Sequence, residues 1–525
     1  MSPDGESPVR AVWPRLAAAL LVVAAGLAVV VVATRDDPES VAAPTTGMST
    51  TVPTTTLPPT TTSTTTTTST TTTTTTTTTT EYPGLWDPTE VGTPWGDTVR
   101  GLLTFRGSPT RSYYGEGPVP ADPAVQWRFP ERGGMCSLST TGGVTTNWCG
   151  TGWTGQPAVW ERDDGTWVAF GAYDRAVHVL DAVTGANRFD PFVTGDLIKD
   201  SLTVDPDGHP LLYVGSRDNR LRVLSFDQGR LVELWALDAQ SVSPQLWNDD
   251  WDGSPVVIDD HLLVGGENSN FHVVRLHRGY GGDGFAVVEP ELLAVVPGWD
   301  DELRRAVGDN VSIENSVTIV DDIVYFANSG GLVQGWDLAP VRTGGQPERV
   351  FRYWIGDDTD ASVVVDDDGF LYAASEYERG NQRSRDLGQV VKLDPRRPDD
   401  PLVWSVEARN GLDTGVWATL AVHRDLVVVP TADGRVLGLD RETGETRWTL
   451  RLPGPLWSSP VIVDDVLIQA DCAGFVHGFD LSQTTTAPTE LWSVAVGGCI
   501  ESTPVVWKDR IWVGTRGGFF HMLSD

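Results

Sequence analysis

Eight positions carry residue types suited to binding chemistry: Thr154, Lys199, Asp252, Glu314, Asp360, Trp417, Trp457 and Glu501. Each stands three residues before an apolar residue that opens a hydrophobic run, at 157, 202, 255, 317, 363, 420, 460 and 504. Four carboxylates, one ammonium and two indoles at equivalent places are unlike a core position. Brought together, the indoles could stack on a ring or sugar, and the carboxylates could bind hydroxyls or a divalent cation. Asp252, Glu314 and Asn315 are the candidate metal ligands, and Asp200, Asp249, Asp250, Asp357 and Asp358 add acidity nearby. The plainer reading is a hydrated channel mouth whose acids are tolerated by solvent.

What must position these residues is a repeat. A hydroxyl residue, then Pro, Leu or Val, then an apolar strand recurs as Ser254-Pro255-Val256-Val257, Ser316-Val317-Thr318-Ile319 and Ser459-Pro460-Val461-Ile462. Four further copies start at Ser201, Ser362, Thr419 and Thr503, and Gln156-Pro157 is an imperfect eighth. Gaps of 40–62 residues between strand-rich units predict propeller blades. Leu234-Trp235, Val403-Trp404, Arg447-Trp448 and Leu491-Trp492 each close a unit, and Thr184-Gly185 and Thr443-Gly444 are tight turns before a fourth strand. Tips such as Asp207-Gly208 and Asp366-Asp367-Asp368-Gly369 signal hairpins and lack the spacing of a calcium loop. The last unit ends without a fourth strand, while a spare one, 125–129 around Trp127, precedes the first. Borrowing it closes eight blades and removes the open edges. The eight positions then enter the innermost strands at one mouth of the channel. A one-residue slip in register would turn them into the sheet interior instead.

The run from Gly434 to Trp448, followed by Ser458-Ser459-Pro460-Val461, resembles the repeat of the pyrroloquinoline-quinone (PQQ)-type propellers. The likeness covers about residues 125–525 and implies an all-β, eight-bladed propeller of PQQ-like repeats. That group includes quinoprotein dehydrogenases and non-enzymatic lipoproteins of outer-membrane protein assembly. In the dehydrogenases a Trp lies under the quinone, Glu and Asn hold calcium, an Asp is catalytic and two adjacent cysteines pair. Glu314-Asn315 has the right ligand chemistry, but no cysteines are adjacent, and one cation in the ring is few for a tricarboxylate cofactor. The expectation is therefore a binding or scaffold module with no cofactor, for a glycan, peptide or protein partner. A dehydrogenase using PQQ and calcium is the alternative. A WD-repeat reading has only Gly335-Trp336-Asp337 in its favour.

Composition sets the surroundings. The net charge of −33 argues against nucleic acid as a partner. Residues 1–15 read as a cytoplasmic N-terminus and 16–34 as an apolar transmembrane signal anchor, oriented by Arg10 and Arg15 before it and Asp36 and Asp37 after it. A cleavable signal ending near Ala33 is the rival reading. Residues 35–96 form a Thr-rich, disordered linker, and 97–525 the propeller; within that stretch, 81–123 read as an extended segment lying over it. The domain is thus placed outside the cytoplasm of a single-pass membrane protein, touching the membrane only through its helix. There the four cysteines predict disulfides, Cys136–Cys149 by locality and Cys472–Cys499 by blade adjacency, with Cys149–Cys499 also open. His178, His477 and His521 fall at equivalent third-strand positions and read as packing rather than metal ligands. No Gly-x-Ser-x-Gly, Cys-x-x-Cys or phosphate loop supplies an enzyme nucleophile or cradle.

Overall fold

The computed structural model describes residues 82–525 except 142, 153 and 154. The proposed anchor, the Thr tract and Thr154 lie outside the described residues. No helix among those described is long and apolar enough to cross a membrane.

Eight antiparallel sheets follow one another along the chain, each with its innermost strand on one of the predicted apolar runs. These strands include Ala158–Arg162, Val256–Ile258, Val461–Val463 and Val505–Trp507. The eighth sheet is completed from the other end of the chain: Ala124–Phe129 pairs antiparallel with Phe520–Ser524, Trp127 opposite Met522. Closure therefore uses the spare strand, as the repeat pattern requires.

The recurring hydroxyl and Trp have separate jobs. Ser254 N donates to Ser316 Oγ (2.9 Å), Ser316 N to Ser362 Oγ (3.0 Å), Ser362 N to Thr419 Oγ1 (2.9 Å) and Thr419 N to Ser459 Oγ (3.0 Å). Each inner strand thus passes one backbone donor to the next blade's hydroxyl, so that a buried N–H is satisfied and neighbouring blades are tied together. Gln156 N starts the same chain at Ser201 Oγ, 2.7 Å away. The Trp indoles lock the blades farther out: Trp127 Nε1 donates to Val183 O and Trp404 Nε1 to Arg441 O, both on the next blade. Gly185 and Gly444, at φ of +71° and +76°, lie flat on those two rings, where a Cβ would come within 3 Å of the indole.

The N-terminal segment departs from expectation. The folded unit begins at Tyr82 rather than 97, because Trp86 and Trp95 bury their indoles against the blades. Residues 101–116 do not lie over the domain; they enter the channel. Gly101–Leu102 adds a strand inside blade 1 and Gly115–Glu116 one inside blade 8. Between them the chain plugs the axis with two wholly buried arginines. Arg106 donates to the carbonyls of Pro460 (2.8 Å) and Leu420 (2.8 Å), and Arg111 to those of Val317 (2.8 Å), Ser254 (3.2 Å) and Phe105 (2.9 Å). Inner-strand carbonyls that point at the axis thereby gain donors from a segment with no place in the repeat. Burial lowers both guanidiniums, Arg111 to about 9, which leaves it charged at neutral pH.

Candidate ligand site at the channel mouth

The predicted ring residues stand next to the hydroxyl chain, three positions before each apolar run, and the acids among them are buried or half-buried. Of the eight predicted residues, the seven described fall into three groups by their contacts. Lys199 Nζ reaches Asp252, lies 3.1 Å from Glu267 Oε1 and 3.6 Å from Asp250 Oδ2. Arg217 Nε backs Asp250 at 3.1 Å. Asp252 feels the charge of Glu314 on blade 4, and Glu314 in turn raises Asp360 on blade 5. Trp417 and Trp457 stack on adjacent blades, ring centroids 5.0 Å apart and planes 8° from parallel. Glu501 takes Arg516 Nη1 on both carboxylate oxygens at 3.1 Å.

The mouth face carries what the bare repeat does not. A hairpin, Cys136–Thr141 with Val144–Cys149, is stapled by the Cys136–Cys149 disulfide. Its Trp148 packs edge-on to Tyr173, and Arg516 lies over both rings. Cys472–Cys499 ties blade 7 to blade 8 on the same face, so both pairings hold and Cys149–Cys499 does not form. An insertion in blade 5 supplies Glu376, Glu378 and Arg379, and pairs Glu376–Tyr377 with Thr414–Gly415 of the next blade. Glu267 and Glu376 are site residues that the sequence analysis passed over.

Burial dominates the electrostatics. It raises Glu314 to about 7, helped by Glu267 and Asp358, and raises Asp358 to about 7. Burial and Glu267 bring Asp250 to about 8. Asp360 is also pushed up by burial and by Glu314, and Glu376 by burial and by Asp360; the two share a hydrogen bond that lowers Asp360 and raises Glu376, which fits a single proton held between them. Burial opposes the charge on Lys199, but Asp252 and Glu267 outweigh it and hold the ammonium well above its ordinary range.

A stability profile follows. Acids that keep a proton in the fold and lose it in the unfolded chain make stability fall as pH rises between their ordinary and folded values. For Glu314, Asp358 and Asp250 that window runs from about 4 to about 8. On the acid side stands Asp440: burial would raise it, yet the Thr443 N–H and Arg447 bring it to about 2, so its contribution is lost as pH falls below about 4. Melting temperature is expected to peak near pH 4 and to decline toward pH 8. Calorimetry showing a rise from pH 5 to 8 would contradict this.

The residues do not fit the quinone and its calcium. Asn315 is buried with both ends of its amide engaged, the NH₂ donating to Ala327 O (3.1 Å) and Thr359 O (2.9 Å) and the oxygen accepting from Ala327 N, so it is not free to ligate beside Glu314. One face of each indole is covered by the other. The ring's ammonium is engaged by three carboxylates, and neither disulfide joins adjacent cysteines. Asp366, Asp367 and Asp368 cluster on the opposite face, where Arg441 contacts all three. The histidines have separate neighbours: His178 binds Asp174, His477 binds Glu490, and His521 is buried opposite Arg128 with Phe519 edge-on.

Comparison with known proteins agrees with this architecture. The family model described as outer membrane protein assembly factor BamB matches residues 386–524. The chain is a β-propeller of PQQ-like repeats. Among curated proteins it is 31% identical over 117 residues to the outer membrane protein assembly factor BamB of Kangiella koreensis and 30% over 146 residues to that of Burkholderia pseudomallei. Those matches cover 22% and 28% of this chain and 29% and 32% of the relatives, so the chain spans less than a third of their length. Similar solved structures include the quinohemoprotein alcohol dehydrogenase of Comamonas testosteroni, with 12% identity, a TM-score of 0.53, and 81% of this chain and 80% of that one covered. A europium-containing methanol dehydrogenase is similar at 12% identity and a TM-score of 0.54, covering 82% and 99%. At such identities the PQQ-like propeller shares the fold of these enzymes, and the fold alone.

Proposed function

We propose that this PQQ-like propeller is a membrane-tethered, extracytoplasmic binding or scaffold module that engages a glycan, peptide or protein through its open channel mouth. The observation that carries this reading is the set of buried acids, an ammonium and a stacked indole pair gathered where the inner strands begin, on the face that bears the disulfide-stapled hairpin. Rigid strands and a disulfide hold these groups, as a preformed site requires. The name of the curated relatives, an assembly factor, supports a protein partner in general terms.

Screening the purified chain on glycan and peptide arrays tests the proposal. Trp457→Ala is expected to lose at least tenfold in affinity for whatever the wild type retains, since base or sugar stacking on an indole is worth about 1–3 kcal/mol. Binding that is retained in full by Trp457→Ala, and by Glu314→Gln, would move the site elsewhere.

A further inference from the structure

Trp247 stands where folding alone would not place an indole. It is the most exposed tryptophan among the described residues, with 44% of its surface open. Its backbone is left-handed, at a φ of +67°, and no other described Trp, Phe or Tyr adopts that conformation. A bulky L side chain is disfavoured there, whereas Gly or Asn is accepted. The position therefore carries backbone strain and forgoes much of the burial that an indole could contribute.

The residues on either side hold it in place. Leu246 N donates to Asn268 O (3.2 Å), and Ser269 Oγ donates to Leu246 O (3.2 Å). Asn248 N donates to Glu267 O (3.3 Å). The Leu246 side chain packs into a small core with Leu303, Val311 and Leu332, so the turn is fixed and Trp247 is the residue left outside. Asn248 Nδ2 also donates to Glu267 Oε2 (2.7 Å), and Glu267 Oε1 lies 3.1 Å from Lys199 Nζ. The indole is thus anchored, one residue away, to the carboxylates gathered around Lys199. Its own surroundings are polar: Gln240 donates to Asp249, and no other large apolar side chain between 239 and 250 is exposed.

We propose that Trp247 is the stacking platform for a sugar ring of a neutral glycan. This rests on the reading of this face of the propeller as a binding site. Strained backbone that the fold does not need is characteristic of positions that serve a ligand. A pyranose presents an apolar C–H face and a rim of hydroxyls. The indole takes the face, and the amide and carboxyl groups of Gln240, Asn248 and Asp249 are the partners for the rim. An anchor for a protein would stand in a contiguous apolar patch, as the cores of such interfaces do, and this loop offers a lone ring. The net charge of −33 disfavours glycans rich in carboxylates. Because the turn is already pinned, little freedom is lost when the ring is covered.

The test is an array of neutral gluco-, manno- and galacto-oligosaccharides, with uronate-containing glycans and peptides on the same surface, probed with the full chain. Wild type is expected to bind neutral glycans in preference to the uronates. Trp247→Ala should weaken that binding at least about tenfold, and Trp247→Phe, which keeps a smaller ring, should lose less. Trp247→Gly should melt above Trp247→Ala, because it accepts the left-handed backbone, and yet bind no better. That pairing separates the ring's part in binding from its part in stability. The inference fails if no neutral glycan binds wild type, if Trp247→Ala binds as wild type does, or if uronates bind equally well. Retention of peptides alone, lost in Trp457→Ala, would leave the mouth as the site and overturn only this inference. Glycan binding lost in Trp247→Ala but kept by Trp457→Ala and Glu314→Gln would uphold Trp247 and remove the ring of acids and indoles from the site.

Discussion

Arg111→Ala is expected to destabilise the propeller by about 4 kcal/mol or more, the largest effect of any single substitution considered. Its guanidinium donates to three buried carbonyls from blades 3 and 4 and the plug itself, and has no carboxylate partner among the described residues. Charged hydrogen bonds contribute about 1.5–3 kcal/mol each, and an orphaned buried acceptor costs about 1–3 kcal/mol. Against an unfolding entropy of about 2.1 cal/mol/K per residue, 4 kcal/mol lowers the melting temperature of a fold this size by roughly 4 °C. Arg111→Lys should recover little, because a point ammonium cannot span carbonyls arranged for a planar fork. Arg100→Ala is the control: its ion pair with Glu116 is exposed, and such pairs are worth about 0–1 kcal/mol. Equal melting of Arg111→Ala and Arg100→Ala would remove the plug from the account of stability.

Removing the closing strand Ala124–Phe129 should have the second large effect. It strips the edge of Phe520–Ser524 and takes away Trp127, whose ring packs on Phe520 and Gly185 and bonds Val183 O. A bare, apolar edge templates pairing with another chain, so the expected outcome on size-exclusion chromatography is association or loss of the folded species. Trp127→Ala is the milder probe. Full burial of a Trp would put the loss at about 3–5 kcal/mol; the half-buried ring here should cost about 2–3 kcal/mol. A monomer that melts like wild type without the strand would contradict ring closure.

These two predictions separate what the sequence discloses from what it hides. The blade repeat was legible because strand alternation, the hydroxyl and the closing Trp recur at matched spacing, and the same spacing picked out the ring positions three residues back. Both disulfides followed from locality and blade adjacency. The plug was not legible. Residues 101–116 have no periodicity, and nothing about Arg106 or Arg111 as letters distinguishes a guanidinium wedged among carbonyls from one in water. The hydroxyl served as an alignment mark before the structure showed it accepting the previous blade's N–H. Glu267 and Glu376 lie past the second strand, outside the window used to align the ring, although the repeated Asp-x-Asp at 250–252 and 358–360 was a signal for them. Asn315 was grouped with Glu314 because the two are neighbours in sequence, yet consecutive residues entering a strand point to opposite faces.

The account turns on the mouth being a site for ligand rather than a feature of packing. Its most direct test is a paired measurement of melting temperature and array-ligand affinity on Trp457→Ala and Glu314→Gln. The prediction is a loss of at least tenfold in affinity for each variant, with melting within about 2 °C of wild type for Trp457→Ala and at or above wild type for Glu314→Gln, which removes a buried repelling charge. A marked fall in melting temperature with affinity unchanged would show that the ring is structural and that the ligand binds elsewhere.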